Sequence, residues 1–266
     1  MPHINRRVLA MAALAAPLAG QPAGADPVPA PRRPDFKSWS RPDQIAMLVY
    51  PRMTALDLIA PQHMFASLMG AHVHLVAKNL APVTSDTGVT ITPTTTFKDC
   101  PRDLTVLFAP GGTDGTLAAM ADDETRAFMA DRGARATYVT SVCTGALILG
   151  AAGLLNGYRA TTHWAARDVL PSFGATLAEG RVVRDRNRVT GAGVTAGLDF
   201  GLAMIAELRD RFYAEGVQLQ AEYDPHPPFN AGALATAPAD VRAVIEPMQA
   251  GFLKRAQALA DRLRSA

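Results

Sequence analysis

Strand-like and helix-like runs alternate along most of this chain, and that alternation restricts its fold more than any other feature. Gln44 to Tyr50 reads as a strand, Ala55 to Met69 as a helix, and His72 to Lys78 as a second strand. Val89 to Ile91 is a short extended piece with threonine-rich flanks. Leu104 to Ala109 is a further strand, closed by the tight loop Pro110-Gly111-Gly112. Asp123 to Arg132 is a helix whose acidic opening suits its N-terminus. The apolar, β-branched run Ala136 to Val142 predicts a buried strand, and a helix-compatible run, Thr144 to Leu155, follows at once. Ala160 to Thr162, Val182 to Arg184 and Arg188 to Thr190 read as short strands, the last two joined by a turn at Asp185-Arg186-Asn187. Val194 to Ala214 predicts one long helix, opened by Gly191-Ala192-Gly193. Val241 to Arg264 predicts a C-terminal helix after the Pro-rich loop Asp224 to Pro238. Strands alternating with helices predict an α/β fold, a mostly parallel sheet covered on both faces. Sites in such sheets form at the carboxyl ends of strands, where Tyr50, Pro110 and Cys143 fall.

The first residues read as something other than fold. Arg6-Arg7 precedes the apolar run Val8 to Gly20, and Ala23-Gly24-Ala25 fits a small-residue cleavage site. That order predicts a secretory signal of the twin-arginine type over 1–25, and hence a periplasmic or otherwise exported protein. If the segment is not processed, the protein stays cytoplasmic. The apolar run is too short to span a bilayer, and Pro17 interrupts it, so no stable membrane insertion is expected. Residues 26–42 read as a Pro-rich linker, 43–232 as the α/β domain, and 233–266 as a terminal loop and helix. The chain has 26 Lys and Arg against 24 Asp and Glu, and residues 1–25 hold two of the basic residues and none of the acidic ones. The remainder is therefore balanced, and no basic stripe points to nucleic acid. Cys100 and Cys143 are too few for a disulfide scaffold, although an oxidising compartment would allow them to pair.

Cys143 lies in Thr140-Ser141-Val142-Cys143-Thr144-Gly145-Ala146, on the turn between a buried strand and a helix. This is the position of a nucleophile elbow, where amides at a helix N-terminus favour a thiolate. The competing reading is a small buried hydrophobe, as most free cysteines are. Leu56-Asp57-Leu58 sets a carboxylate among apolar neighbours. Burial would raise its pKa and suit it to proton transfer; an exposed helix-start charge is the alternative. Gly111 and Gly112 offer amides for an oxyanion cradle, or form an ordinary turn. His72 and His74 alternate on one strand face, but two histidines alone make a weak metal site. No metal is expected.

The elbow Ser141-Val142-Cys143-Thr144-Gly145 resembles that of the ThiJ/PfpI superfamily, whose fold is flavodoxin-like and class I glutamine-amidotransferase-like. So do Gly150-Ala-Ala-Gly-Leu-Leu-Asn-Gly157, Ala160-Thr161-Thr162-His163-Trp164, Ala109-Pro110-Gly111-Gly112, and Pro61-Gln62 after Leu56-Asp57. Within the superfamily the isonitrile hydratases match best. That likeness runs from about Gln44 to about Gly232, through Thr190-Gly-Ala-Gly-Val-Thr-Ala-Gly-Leu-Asp199 and Tyr223-Asp-Pro-His-Pro-Pro-Phe-Asn-Ala-Gly232. The resemblance implies cofactor-free hydration of an isonitrile to an N-substituted formamide, a lyase reaction, by a homodimer. It assigns Cys143 as the nucleophile, Asp57 as the essential aspartate and Thr144 as its neighbouring threonine. Thr144 would hydrogen-bond the sulfur or cap the helix.

Departures weigh on the alternatives. Protease-like members carry a histidine directly after the cysteine, where this chain has Thr144. Glyoxalase and deglycase members typically carry a glutamate where this chain has Asp57. His163 is the best-placed spare histidine, as a substrate-binding or catalytic group or as part of a packed strand end. Regulators that fuse this domain to two helix-turn-helices need more residues than follow the long helix here. A non-catalytic sensor of small electrophiles remains, and Cys143, Asp57 and Thr144 together favour the enzyme. The C-terminal helix carries Val241, Val244, Ile245, Met248, Phe252, Leu253, Leu259 and Leu263 at near-helical spacing, so its apolar face must be covered, by its own domain or across a dimer.

Overall fold

The computed structural model describes residues 36–265. The expected signal, 1–25, and the linker up to residue 35 lie outside the described residues. Seven strands build the main sheet: β1 (Gln44–Leu48), β2 (His72–Ala77), β3 (Thr95–Thr96), β4 (Val106–Ala109), β5 (Tyr138–Val142), β6 (Val182–Asp185) and β7 (Arg188–Gly191). Their order is β6-β7-β5-β4-β1-β2-β3. Every pairing is parallel except the β6–β7 hairpin. Ile45 to Leu48 and Val106 to Ala109 are buried at every position. Such unbroken apolar runs suit strands covered on both faces.

One layer of helices holds α1 (Ala55–Phe65), α5 (Ala196–Leu208) and α6 (Arg211–Gln220). The other holds α2 (Asp114–Ala121), α3 (Asp123–Gly133), α4 (Gly145–Ala151), a 3₁₀ segment (Trp164–Phe173) and α7 (Ala239–Ser265). The chain runs outward from β1 to β2, then returns to the other flank of β1 as β4. This reversal makes β1/β4 the topological switch point, where ligands bind beyond the carboxyl ends of strands.

The structure departs from the sequence reading at several points, among them the unexpected 3₁₀ segment Trp164–Phe173. The expected helix over Val194–Ala214 is two helices. Asp210 accepts the Tyr213 amide hydrogen at 2.8 Å and caps α6. Arg209, buried at the break, bonds the carbonyls of Trp39, Met69 and Leu208 and pairs with Asp43 at 2.6 Å. An apolar periodicity that continues through the break conceals it. Helix α2 follows Gly111-Gly112 where no element was expected, since its Gly/Ala-rich sequence has little periodicity. The expected linker 26–42 gives way at its end to structure: Phe36–Trp39 is a helical turn. The Trp39 indole is buried there, donates to Asp210 at 2.8 Å and meets the Tyr213 ring edge-on at 5.0 Å. Helix α7 divides. Phe252, Ala256, Leu259 and Ala260 are buried against the 3₁₀ segment and α2, whereas Val244 and Met248 are 62% and 70% exposed.

Candidate active site

Strand β5 delivers Cys143 to the sheet's carboxyl edge. The residue adopts φ +57°, a left-handed conformation that costs a non-glycine residue ~1 kcal/mol. Its surroundings hold it there. The Cys143 amide donates to Ala192 O at 2.7 Å, and its carbonyl accepts the Thr162 hydroxyl hydrogen at 2.8 Å. Gly145 then starts α4 so close to β4 that a Cβ would lie 2.1 Å from Ala109 O.

Asp57 approaches from the first turn of α1, fully buried. Pro61, four residues on, has no amide hydrogen, so the Asp57 carbonyl lacks its usual helical donor. The Gly111 amide donates to Asp57 Oδ2 at 3.0 Å. Oδ1 has no hydrogen-bond partner among the described residues. Burial raises the carboxyl to about 7, against the opposing pull of the Cys143 thiol and the Gly111 amide. Burial also pushes the Cys143 thiol well above its ordinary range, and the charge of Asp57 adds to the rise; the Thr144 amide and hydroxyl oppose it. The Thr144 amide favours the thiolate as expected, but burial beside Asp57 acts against it. Desolvation beside a carboxylate outweighs a few oriented dipoles. Both groups of the pair are thus raised, the thiol by burial and by the carboxylate beside it.

The glycine pair also differs from the expected oxyanion cradle. The Gly111 amide is committed to Asp57, and the Gly112 amide donates to Thr144 Oγ1 at 2.9 Å. Both glycines hold functional side chains in place. Gly111 is required for space as well: a Cβ would stand 2.5 Å from Thr144 N and 2.8 Å from Asp57 Oδ2. Thr144 makes no side-chain cap of α4. Its hydroxyl donates to Gly112 O and lies 2.9 Å from Thr116 Oγ1. Thr116, on the unforeseen α2, and Tyr50, at the end of β1, complete this buried cluster. The only sequence signal for either was Tyr50's position at a strand end.

His163 stands apart. Thr162 links it to the elbow, but its own Nδ1 accepts from the Ala165 amide at 3.3 Å. Among the described residues no bond joins it to Cys143 or Asp57. Burial, aided by the charge of Arg167, lowers its pKa, so the ring is neutral at pH 7. His74 uses both ring nitrogens, on Thr95 at 3.2 Å and Gln44 at 2.8 Å. No group of three or more His, Cys, Asp or Glu among the described residues is arranged to hold a metal ion, and none of the described helices is long and apolar enough to cross a membrane. Cys100 and Cys143 are both free. A cavity of about 650 Å³ opens beyond β1 and β2, lined by Val49, Tyr50, Val83, Phe97 and Ala119. It reaches neither Cys143 nor Asp57, and Tyr50 connects it to the hydroxyl cluster.

The chain is similar to known proteins of one family. The DJ-1/PfpI family model matches residues 43–207. An isonitrile hydratase of Pseudomonas putida is 53% identical over 198 residues, spanning 74% of this chain and 86% of its own. The crystal structure of a ThiJ/PfpI family protein from Pseudomonas syringae superposes with a TM-score of 0.84 at 65% identity, covering 90% of this chain and 97% of that one. The helix-turn-helix transcriptional regulator GbdR of Pseudomonas aeruginosa is 27% identical over 180 residues, which make up 48% of its length.

Proposed function

The chain belongs to the DJ-1/PfpI family, and we propose that within it this protein hydrates an isonitrile to an N-substituted formamide through a covalent bond to Cys143. The observation that carries this reading is the burial of Asp57, held by the Gly111 amide at 3.0 Å, together with Cys143 at the elbow, the carboxyl raised to about 7 and the thiol raised above its ordinary range. Such a pair moves one proton without creating net charge in a dry site. Ionised Asp57 takes the thiol proton as sulfur bonds to the terminal isonitrile carbon. It then gives that proton to the same carbon, leaving a neutral thioimidate. Water adds to the thioimidate carbon, with Asp57 passing its proton to nitrogen. The C–S bond then breaks, the hydroxyl proton returns to sulfur through Asp57, and the formamide leaves. One isonitrile and one water are consumed, and no cofactor takes part. A pKa near working pH is the best compromise for a group that both accepts and donates. Oδ1, without a hydrogen-bond partner among the described residues, is the oxygen available for these transfers.

Identity to the P. putida hydratase over most of both chains supports the substrate class. Export and homodimer formation belong to the same proposal. The paired arginines before an apolar run support export. The exposed apolar residues of α7 support association. Purified protein incubated with an alkyl isonitrile should yield the formamide, followed by NMR. Formation no faster than with Cys143→Ala would sink the reading, and conversion of methylglyoxal to lactate in its place would favour the glyoxalase alternative.

A further inference from the structure

Three hydroxyls from three elements form a buried line that ends at the elbow. Tyr50 Oη, beyond β1, donates to Pro110 O at 2.8 Å. Thr116 Oγ1, on α2, lies 3.2 Å from Tyr50 Oη and 2.9 Å from Thr144 Oγ1. All three residues are buried. Each hydroxyl has one hydrogen and two lone pairs, so with the Tyr50 hydrogen on Pro110 O and the Thr144 hydrogen on Gly112 O, Thr116 can donate to only one of its two hydroxyl neighbours. A carbonyl only accepts, so the Tyr50 hydrogen is spent on Pro110. Thr144 Oγ1 receives the Gly112 amide. When Thr116 donates to it as well, both Thr144 lone pairs are filled. Its hydrogen is then confined to Gly112 O, which it reaches, or to the neighbouring sulfur. Tyr50 Oη, 3.2 Å away, is the competing acceptor for the Thr116 hydrogen.

We propose that Thr116 is a positioning residue for the reactive cysteine: it fixes the Thr144 hydroxyl, and through it the turn whose amide faces the Cys143 sulfur, with Tyr50 competing for its hydrogen. The proposal rests on Cys143 being the reactive atom, but not on the identity of the substrate. Thr116→Val keeps the shape and removes the link, leaving Thr144 free to turn its hydroxyl. Support for the developing thiolate weakens, and the thiol becomes less reactive at a given pH. The other titratable groups acting on the sulfur are Asp57 from α1 and Tyr50 itself, with Asp86 acting on Asp57. Thr116→Val changes none of these charges. Tyr50, pushed well above its usual range by burial, stays neutral throughout.

The test is the pH dependence of Cys143 alkylation by iodoacetamide, read by peptide mass spectrometry in a Cys100→Ser background. Thr116→Val should slow alkylation at pH 8 about fivefold, the value of roughly one hydrogen bond, and move the midpoint upward. Thr116→Ser should restore the parent profile. Tyr50→Phe removes the competing acceptor, so it should shift the profile the opposite way by less, and it carries the test if Thr116→Val fails to fold by circular dichroism. Superimposable profiles for parent, Thr116→Val and Tyr50→Phe would overturn the proposal. So would a Thr116→Ser protein as impaired as Thr116→Val, which would make the effect one of packing. Because alkylation needs no isonitrile, a normal shift without hydration would refute the proposed activity alone.

Discussion

Gly111 donates its amide hydrogen to Asp57 Oδ2 over 3.0 Å, and this one bond decides which carboxyl oxygen is left to meet reactants. The same glycine leaves no room for a side chain between Asp57 and Thr144. The loop after β4 thus sets the distance between α1 and the elbow.

Gly111→Ala should therefore damage the site out of proportion to its size. The added methyl would push on the Thr144 amide and on Asp57 Oδ2 together. Overpacking of this kind costs ~1–3 kcal/mol of stability, and small misplacements at a reacting centre cost about 10²-fold in rate. Thermal melts and kcat on an alkyl isonitrile would measure both. A variant within twofold of the parent in kcat would show that the loop does not set the geometry.

Cys143→Ala should abolish hydration, and Cys100→Ala should leave it intact. The backbone adds a second expectation. Since Cys143 holds φ +57°, Cys143→Gly should be more stable than Cys143→Ala by ~1 kcal/mol, because glycine relieves the left-handed strain. Denaturant melts of the two inactive variants provide the comparison. Equal midpoints would mean that the turn relaxes when sulfur is removed.

Asp57→Asn separates catalysis from stability. Losing the proton carrier should lower kcat about 10²-fold or more. In the parent, kcat/KM should rise with pH through about 7, because ionised Asp57 must accept the thiol proton. Stability runs the other way. The folded-state pKa lies above that of the unfolded chain, so the stabilising contribution is complete below about 4 and is lost as pH rises through about 7. Asparagine does not titrate. Asp57→Asn should therefore melt higher than the parent at pH 8, with the advantage shrinking toward pH 4. A lower melting temperature than the parent at pH 8 would contradict burial as the cause of the raised pKa.

Much of this site was legible because Cys143 and Gly111-Gly112 follow strand-like runs and Asp57 opens an apolar helix. Cys143 follows a β-branched run, Gly111-Gly112 follows another, and Asp57 sits between two leucines. Local sequence did not reveal which donors were already used. Gly111 and Gly112 looked free as a cradle because their acceptors, Asp57 and Thr144, are 54 and 32 residues away. The opposing effect of burial on the thiol was hidden for the same reason. Helix amides are local and visible, whereas desolvation by the assembled core is not. Thr116 and Trp39 were missed because a threonine in an Ala-rich stretch and a tryptophan after a Pro-rich one show no periodicity. Tertiary packing alone buries them.

Export predicts a processed N-terminus. Mass spectrometry of the protein from its producing cell should find a chain beginning at Asp26, after the small-residue site Ala23-Gly24-Ala25. A cytoplasmic protein retaining Met1 or Pro2 would refute the localisation.

The divided helix α7 makes the dimer proposal testable without destroying the fold. Its C-terminal half is committed to its own domain through Phe252, Ala256 and Leu259, and Arg255 pairs with Asp114 of α2 at 2.7 Å. Deleting the whole helix would uncover that core and confuse two effects. Its N-terminal half instead exposes Val241, Val244, Ile245 and Met248, an apolar face that single domains rarely leave to water. Val244→Glu with Met248→Lys should leave the melting of the monomer fold within ~0.5 kcal/mol, as surface substitutions do. Light scattering should then report half the parent's mass. A parent that is already monomeric would end the dimer claim. An unchanged dimer in the double variant would move the interface to another surface, where Leu56 and Ile59, exposed on either side of Asp57 on α1, are the next residues to change.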